Sequence, residues 1–180
     1  MGVIVRRSPV PRPSLIAVAL PRTDYADNYY AEFATSRDLA PVDAARAFFR
    51  SFPFWVIVLL RIRNGIAALA GLKTGNGAAL EEHLSRFTGS RGECVVGFEV
   101  FDSSSRELLM GADDRHLDFR LSFFLERIGR GYSISAATAV KFNGWLGRAY
   151  FLPVKPLHRV IMPAILARMI RDHLGDVEHA

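Results

Sequence analysis

One cysteine, Cys94, stands in 180 residues. A lone thiol excludes an internal disulfide and any multi-cysteine metal site, and it points to a reducing compartment, so the expected location is cytoplasmic. Histidines are also few, and none sits in a His-Glu-x-x-His spacing; Asp113-Asp114 has no further ligands close by, so no metal is expected. The chain lacks a Gly-x-Gly-x-x-Gly loop for a dinucleotide and a Gly-x-Ser-x-Gly elbow for a serine nucleophile, and no cofactor is expected. Without a flanking base, Cys94 reads as packed rather than reactive.

Long apolar runs are missing too. The most hydrophobic stretch, Phe52 to Leu60, is interrupted by Arg61, Arg63 and Asn64. A spanning helix needs about twenty apolar residues in a row, so no stable membrane insertion is expected. At the amino terminus, Arg6-Arg7 is followed only by the short apolar piece Leu15–Leu20, which ends in Pro21 and makes no secretory signal. Residues 1–13 read as a flexible lead-in, 14–175 as one domain, and 176–180 as a tail. Positive charge predominates, with 23 Lys and Arg against 18 Asp and Glu. It is scattered, without a stripe interleaved with stacking aromatics, so nucleic acid is not an expected partner.

Half of the residues are hydrophobic, enough for a sizeable core. Their patterning is clearest between Gly111 and Asn143. Leu117, Phe119, Leu121, Phe123 and Leu125 alternate with His116, Asp118, Arg120 and Ser122, the period of a strand with one dry face. A two-residue turn at Gly129-Arg130 sets Leu125 opposite Ile134, Phe123 opposite Ala136, Leu121 opposite Thr138, Phe119 opposite Val140 and Leu117 opposite Phe142. The same register brings Asp118 to Lys141 and Glu126 to Ser133 on the other face. A slip of one residue would turn every apolar side chain outward.

Around this hairpin, Asp27 to Thr35 reads as a first strand, with Tyr29, Ala31 and Phe33 on one face. Pro41 suits the first turn of a helix from Val42 to Arg50. Ser51 and Pro53 start a second helix reaching about Leu72. Lys73 to Gly92 reads as a connection with a helical piece at Leu80–Phe87. Val95–Phe101 and Glu107–Met110 are two shorter strands. Gly144 to His173 has a helical period with Pro153, Pro156 and Pro163 inside, and a kink or break is expected near Pro153–Pro156. The order predicts an α+β fold: a curved antiparallel sheet gripping a long carboxy-terminal helix, with two helices inserted after the first strand. It resembles the helix-grip arrangement of START-like (Bet v 1-like) domains.

Several segments are similar to a known family. Asp24-Tyr25-Ala26-Asp27, Trp55 with Leu59-Leu60-Arg61-Ile62-Arg63-Asn64, Gly71-Leu72-Lys73-Thr74-Gly75, Asp113 to Arg120, Leu146-Gly147-Arg148-Ala149-Tyr150 and Pro156-Leu157-His158-Arg159 resemble the bacterial family catalogued as domain of unknown function 2867. The resemblance runs from about Ser14 to Arg168. It implies no biochemical activity, and fold alone does not fix one.

Candidate chemistry divides between two faces. Asp113, Asp114, Arg115, His116, Asp118 and Arg120 form the densest polar cluster. The alternation turns it away from the dry face, so Asp118 is expected to pair with Lys141 and Arg120 to bridge to a neighbouring strand. On the dry face, Phe119, Leu121, Phe123, Tyr132, Ile134 and Thr138 would face the terminal helix, with Trp145, Leu146, Tyr150 and Leu157 supplying the opposite wall and Tyr132, Thr138, Tyr150 and His158 the polar tips. That lining suits a cavity for a small apolar or amphipathic molecule such as a lipid, quinone or polyketide-like compound. The same residues otherwise fill a solid core. The alternative is an enzyme of the cyclase or hydratase kind, with His158, Tyr132 or Tyr150 moving a proton. A third reading is an interaction module using Trp55 and the Phe52–Leu60 run.

Overall fold

The computed structural model describes residues 3–52 and 77–176. Seven antiparallel strands form one curved open sheet in the order β1-β2-β7-β6-β5-β4-β3. They are β1 (Arg6–Arg7), β2 (Tyr25–Ala34), β3 (Cys94–Val95), β4 (Phe98–Ser103), β5 (Glu107–Asp113), β6 (Leu117–Ile128) and β7 (Gly131–Phe142). Helix α1 (Pro41–Arg50) follows β2, α2 (Gly77–Arg86) precedes β3, and α3 (Trp145–Met169) closes the fold, ending in a π-helical turn at Ile170–Leu174. The second helix expected to reach Leu72, with Trp55 and most of the Phe52–Leu60 run, lies outside the described residues.

The β6–β7 hairpin has the register that its alternation predicts: Leu125 faces Ile134, Phe123 faces Ala136, Leu121 faces Thr138, Phe119 faces Val140 and Leu117 faces Phe142. Gly129 takes φ +50° in the turn, a conformation that costs a side-chain-bearing residue energy. Helix α1 starts where Pro41 needs no amide partner, and the Asp43 carboxylate accepts from the Ala40 amide at 2.9 Å. Its Ala44, Phe48 and Phe49 turn inward, and Phe48 meets Phe123 at 5.0 Å between ring centroids. Phe49, Phe98 and Phe119 continue the aromatic layer edge to face.

Three sequence expectations change. Val95–Phe101 is not one strand, because Val96 (φ +54°) and Gly97 (φ +80°) reverse the chain and pair Val95 with Phe98. Two successive positive φ values make a tight hairpin turn of the kind Asn-Gly usually marks. Helix α3 runs through Pro153, Pro156 and Pro163 without a break. Each proline withholds an amide from the carbonyl four residues back. For Pro163 that carbonyl belongs to Arg159, and the Tyr29 hydroxyl of β2 donates to it at 3.4 Å. A side chain from the sheet thus replaces the missing helical donor.

The third change concerns the amino-terminal segment, which is not a loose lead-in. Arg6 and Arg7 pair with Tyr30 and Tyr29 as an edge strand. Asn28 Nδ2 holds the next residues, donating to Ser8 Oγ at 2.7 Å and to the Pro9 carbonyl at 2.8 Å. Beyond them Ile16 packs on Leu109, Ala137 and Ala139, on the sheet face opposite the helices. Buried Glu107 pins this cover: its carboxylate accepts from the Leu15 amide (2.5 Å), the Ile16 amide (3.2 Å) and Ser122 Oγ (2.5 Å). Both faces of the sheet are therefore covered.

Candidate functional site

Pairing of β2 with β7 sets Tyr25 beside Val140, Asp27 beside Thr138 and Tyr29 beside Ala136. Residues two apart share a face, so Tyr25, Asp27 and Tyr29 all point at α3. A carboxylate in that row is the exception to an otherwise apolar face. From the helix, Phe151 and His158, two turns apart, point back. Phe151 lies 4.8 Å from the Tyr25 ring and the His158 ring lies 6.2 Å from it, between centroids.

Asp27 is 3% exposed. The Tyr25 hydroxyl donates to its Oδ2 at 2.5 Å. Its other oxygen, Oδ1, has no hydrogen-bond partner and stands 3.8 Å from His158 Nε2, too far for a bond. His158 Nδ1 is also buried without a partner. Natural interiors pair nearly all such atoms, and two left over in one cluster mark a place where another group fits.

The electrostatics follow from burial. Desolvation holds the His158 imidazole below its usual value, more than the Asp27 charge raises it, and the neighbouring Arg159 lowers it further. The ring is therefore neutral near pH 7, with one nitrogen to donate and one to accept. Burial, then the hydrogen bond to Asp27, pushes the Tyr25 hydroxyl up to about 12, so it remains a donor. Tyr29 is raised too, first by burial and then by Asp27. The cluster offers a carboxylate with one oxygen held by Tyr25 and one free, and a neutral imidazole, a set able to grip a hydroxyl or to relay a proton.

Of the residues singled out in the sequence, Phe119, Leu121, Phe123, Tyr132, Ile134 and Thr138 are buried on the inner face. Tyr132 serves a structural end: its hydroxyl accepts from the Leu39 amide at 3.2 Å and donates to Asp38 at 2.9 Å. Trp145, Leu146, Tyr150 and Leu157, expected in the opposite wall, are exposed on the outer side of α3. His158 alone of the helical candidates faces inward. Tyr25 and Asp27 enter the sequence reading only within a family segment and not as site residues: the first strand is started at Asp27, after Tyr25, and Asp27 is not counted with Tyr29 on its face. Their signal is the in-phase order Tyr25, Asp27, Tyr29, Ala31.

Elsewhere, the polar cluster behaves as structure. Lys141 Nζ reaches Asp118 at 2.5 Å, and Arg120 bridges to Asp113 of β5 at 2.6 Å while its guanidinium lies 3.6 Å from the Phe101 ring centre. His116 precedes β6, and its carbonyl accepts from the Asn143 amide at 2.9 Å. Cys94, expected to be packed, is exposed. It borders a cleft of about 410 Å³ with Glu82, His83, Arg86, Phe87 and Glu93; a second cleft of about 240 Å³ lies among Arg37, Arg46, Arg50 and His173. Neither reaches Asp27 or His158. Among the described residues no group of three or more His, Cys, Asp and Glu side chains could hold a metal ion, and no helix is long and apolar enough to cross a membrane.

The sequence model of a family described as "Protein of unknown function (DUF2867)" matches residues 19–165. No curated protein and no solved structure matches the chain.

Proposed function

The chain belongs to the DUF2867 family of proteins of unknown function, and since that membership lends no activity, we propose from the site that it binds a small amphipathic molecule between β2, β7 and α3. The observation that carries this reading is that one buried cluster holds two unpartnered polar atoms, Asp27 Oδ1 and His158 Nδ1, in an apolar surround. Leaving each unpaired costs about 1–3 kcal/mol, which a ligand hydroxyl recovers at Asp27 by donating, and a hydroxyl or carbonyl recovers at His158. The apolar body of the ligand lies against Phe119, Leu121, Phe123, Ile134 and Phe151, with Thr138 beside Asp27. Lipids, quinones and polyketide-like compounds have this combination of body and head. Native mass spectrometry of protein purified under mild conditions, followed by denaturation, tests it. A stoichiometric companion released from the wild type and lost in Asp27→Asn supports binding at this place. A companion retained unchanged in Asp27→Asn and His158→Gln removes the site from the account.

A second reading, acid–base catalysis of the cyclase or hydratase kind, draws support from a neutral imidazole 3.8 Å from a buried carboxylate. It predicts that His158→Gln retains a companion differing from that of the wild type by the elements of water or by an isomeric change. Identical companions favour binding alone.

A further inference from the structure

We infer that the outer face of α3 docks the protein on an anionic lipid surface. The helix is apolar on two opposite sides. Phe151, Met162, Ile165, Leu166 and Met169 face the sheet and are buried. On the far side Trp145, Leu152 and Val160 are 79%, 75% and 70% exposed, with Leu146, Tyr150 and Leu157 flanking them. Trp145, Leu152, Pro156 and Val160 are separated by seven, four and four positions, a single stripe of an α-helix. A stripe of this size on the outside of a folded domain marks a contact surface.

Charge selects the occupant. Helix α3 carries Arg148, Lys155, Arg159 and Arg168 and contains no aspartate or glutamate. Arg148 and Arg159 are exposed, and among the described residues neither is held in an ion pair; Lys155 is half-buried, its ammonium 5.6 Å from the centre of the Tyr25 ring, so the two arginines are the outward cations. Asp24, whose carboxyl is lowered in part by Arg148, is engaged by Arg22 at 3.1 Å and by the Phe142 amide at 2.8 Å. A second copy of the chain would press these same cations against each other. An anionic headgroup layer takes them in, while the apolar stripe enters the boundary beneath it. Trp145 and Tyr150 at the start of the stripe suit that boundary, where an aromatic ring is half in water.

The prolines set the depth. Pro153 and Pro156 leave the carbonyls of Ala149 and Leu152 without their helical donors. In hydrocarbon those carbonyls would be stranded, whereas at the interface water reaches them. The helix therefore lies flat at the surface and does not enter the core. This surface does not depend on the buried Asp27–His158 site, and its test is separate.

The test is flotation of the purified full chain with vesicles of phosphatidylcholine, with and without phosphatidylglycerol. The inference predicts flotation with the anionic vesicles, loss of it in Leu152→Asp/Val160→Asp, and about fivefold weaker association in Arg148→Gln. Both apolar positions are exposed, so the double variant should unfold at the wild-type temperature; if it does not, Arg148→Gln carries the test alone. No flotation with anionic vesicles, equal flotation with both compositions, or indifference to the substitutions overturns the inference. So does a wild-type dimer in sedimentation equilibrium that Leu152→Asp/Val160→Asp dissociates, because the face is then a subunit interface.

Discussion

Asp27 Oδ1 of the second strand lies 3.8 Å from His158 Nε2 of the terminal helix, and nothing hydrogen-bonds to it. Desolvation lowers the buried imidazole and Arg159 adds to it, while the Asp27 charge opposes them in part. Replacing Asp27 by Asn should therefore lower the His158 titration midpoint further, read from the imidazole proton shifts. An unchanged midpoint would mean that the two groups do not sense each other.

The same burial makes stability depend on pH. The unfolded chain protonates His158 at its ordinary value near 6.5, about neutral, whereas the folded ring resists the proton. The unfolded state then binds more protons, so stability should fall as pH drops below about 6.5. His173 is also lowered by burial, with Arg50 adding to it, so His158→Phe should flatten only part of this slope in urea titrations between neutral and mildly acidic pH.

Glu107 should prove structural. Its carboxylate receives two backbone amides and Ser122 beneath the amino-terminal cover. Glu107→Ala strands those donors, with an expected loss of about 2 kcal/mol in chemical denaturation. Amide exchange at Leu15 and Ile16 should rise more than in the β6–β7 hairpin.

The approach of α3 to the β5–β6 loop leaves no room at Gly147, where an added Cβ would come within 2.0 Å of the His116 carbonyl oxygen. Gly147→Ala must push the helix start away, at a cost of about 2 kcal/mol. Lower thermal stability together with shifted amide resonances at His116 and Asn143 is the expected result.

Tyr29 and Pro163 should be energetically coupled, because the proline's missing amide is what frees the Arg159 carbonyl for the tyrosine hydroxyl. Tyr29→Phe alone should cost about 1 kcal/mol. In a Pro163→Ala background, where the helix regains its own donor, the same change should cost clearly less.

Much of the fold is legible in the sequence because two constraints coincide there. In β6 and β7 both faces, apolar and charged, accept the same register, and Gly129 fits the turn. The Pro41 start and the Ala44, Phe48, Phe49 stripe do the same for α1. Where only one signal exists, reading stops short. Val96 occupies a turn position that normally shows Asn or Gly, so the β3–β4 hairpin is hidden inside an apolar run. The prolines of α3 argue for a break by local rules, and packing against the sheet overrides them. The edge strand at Arg6–Arg7 depends on Asn28 and Glu107, whose partners lie far along the chain. The site is the least legible part: His158 stands out as a helical histidine, but its meeting with Asp27 requires knowing that β2 lies under α3.

The most direct test removes the polar set while leaving the packing intact. Tyr25→Phe/Asp27→Leu/His158→Leu replaces all three groups with apolar ones of similar size, a change that buried polar clusters often tolerate or gain from. The measurement is native mass spectrometry of this variant beside the wild type, with thermal unfolding of both. If the cluster serves a ligand, the variant folds with stability equal to or above the wild type and carries no companion. A variant that keeps the wild-type companion, or that loses several kcal/mol of stability, would contradict the account.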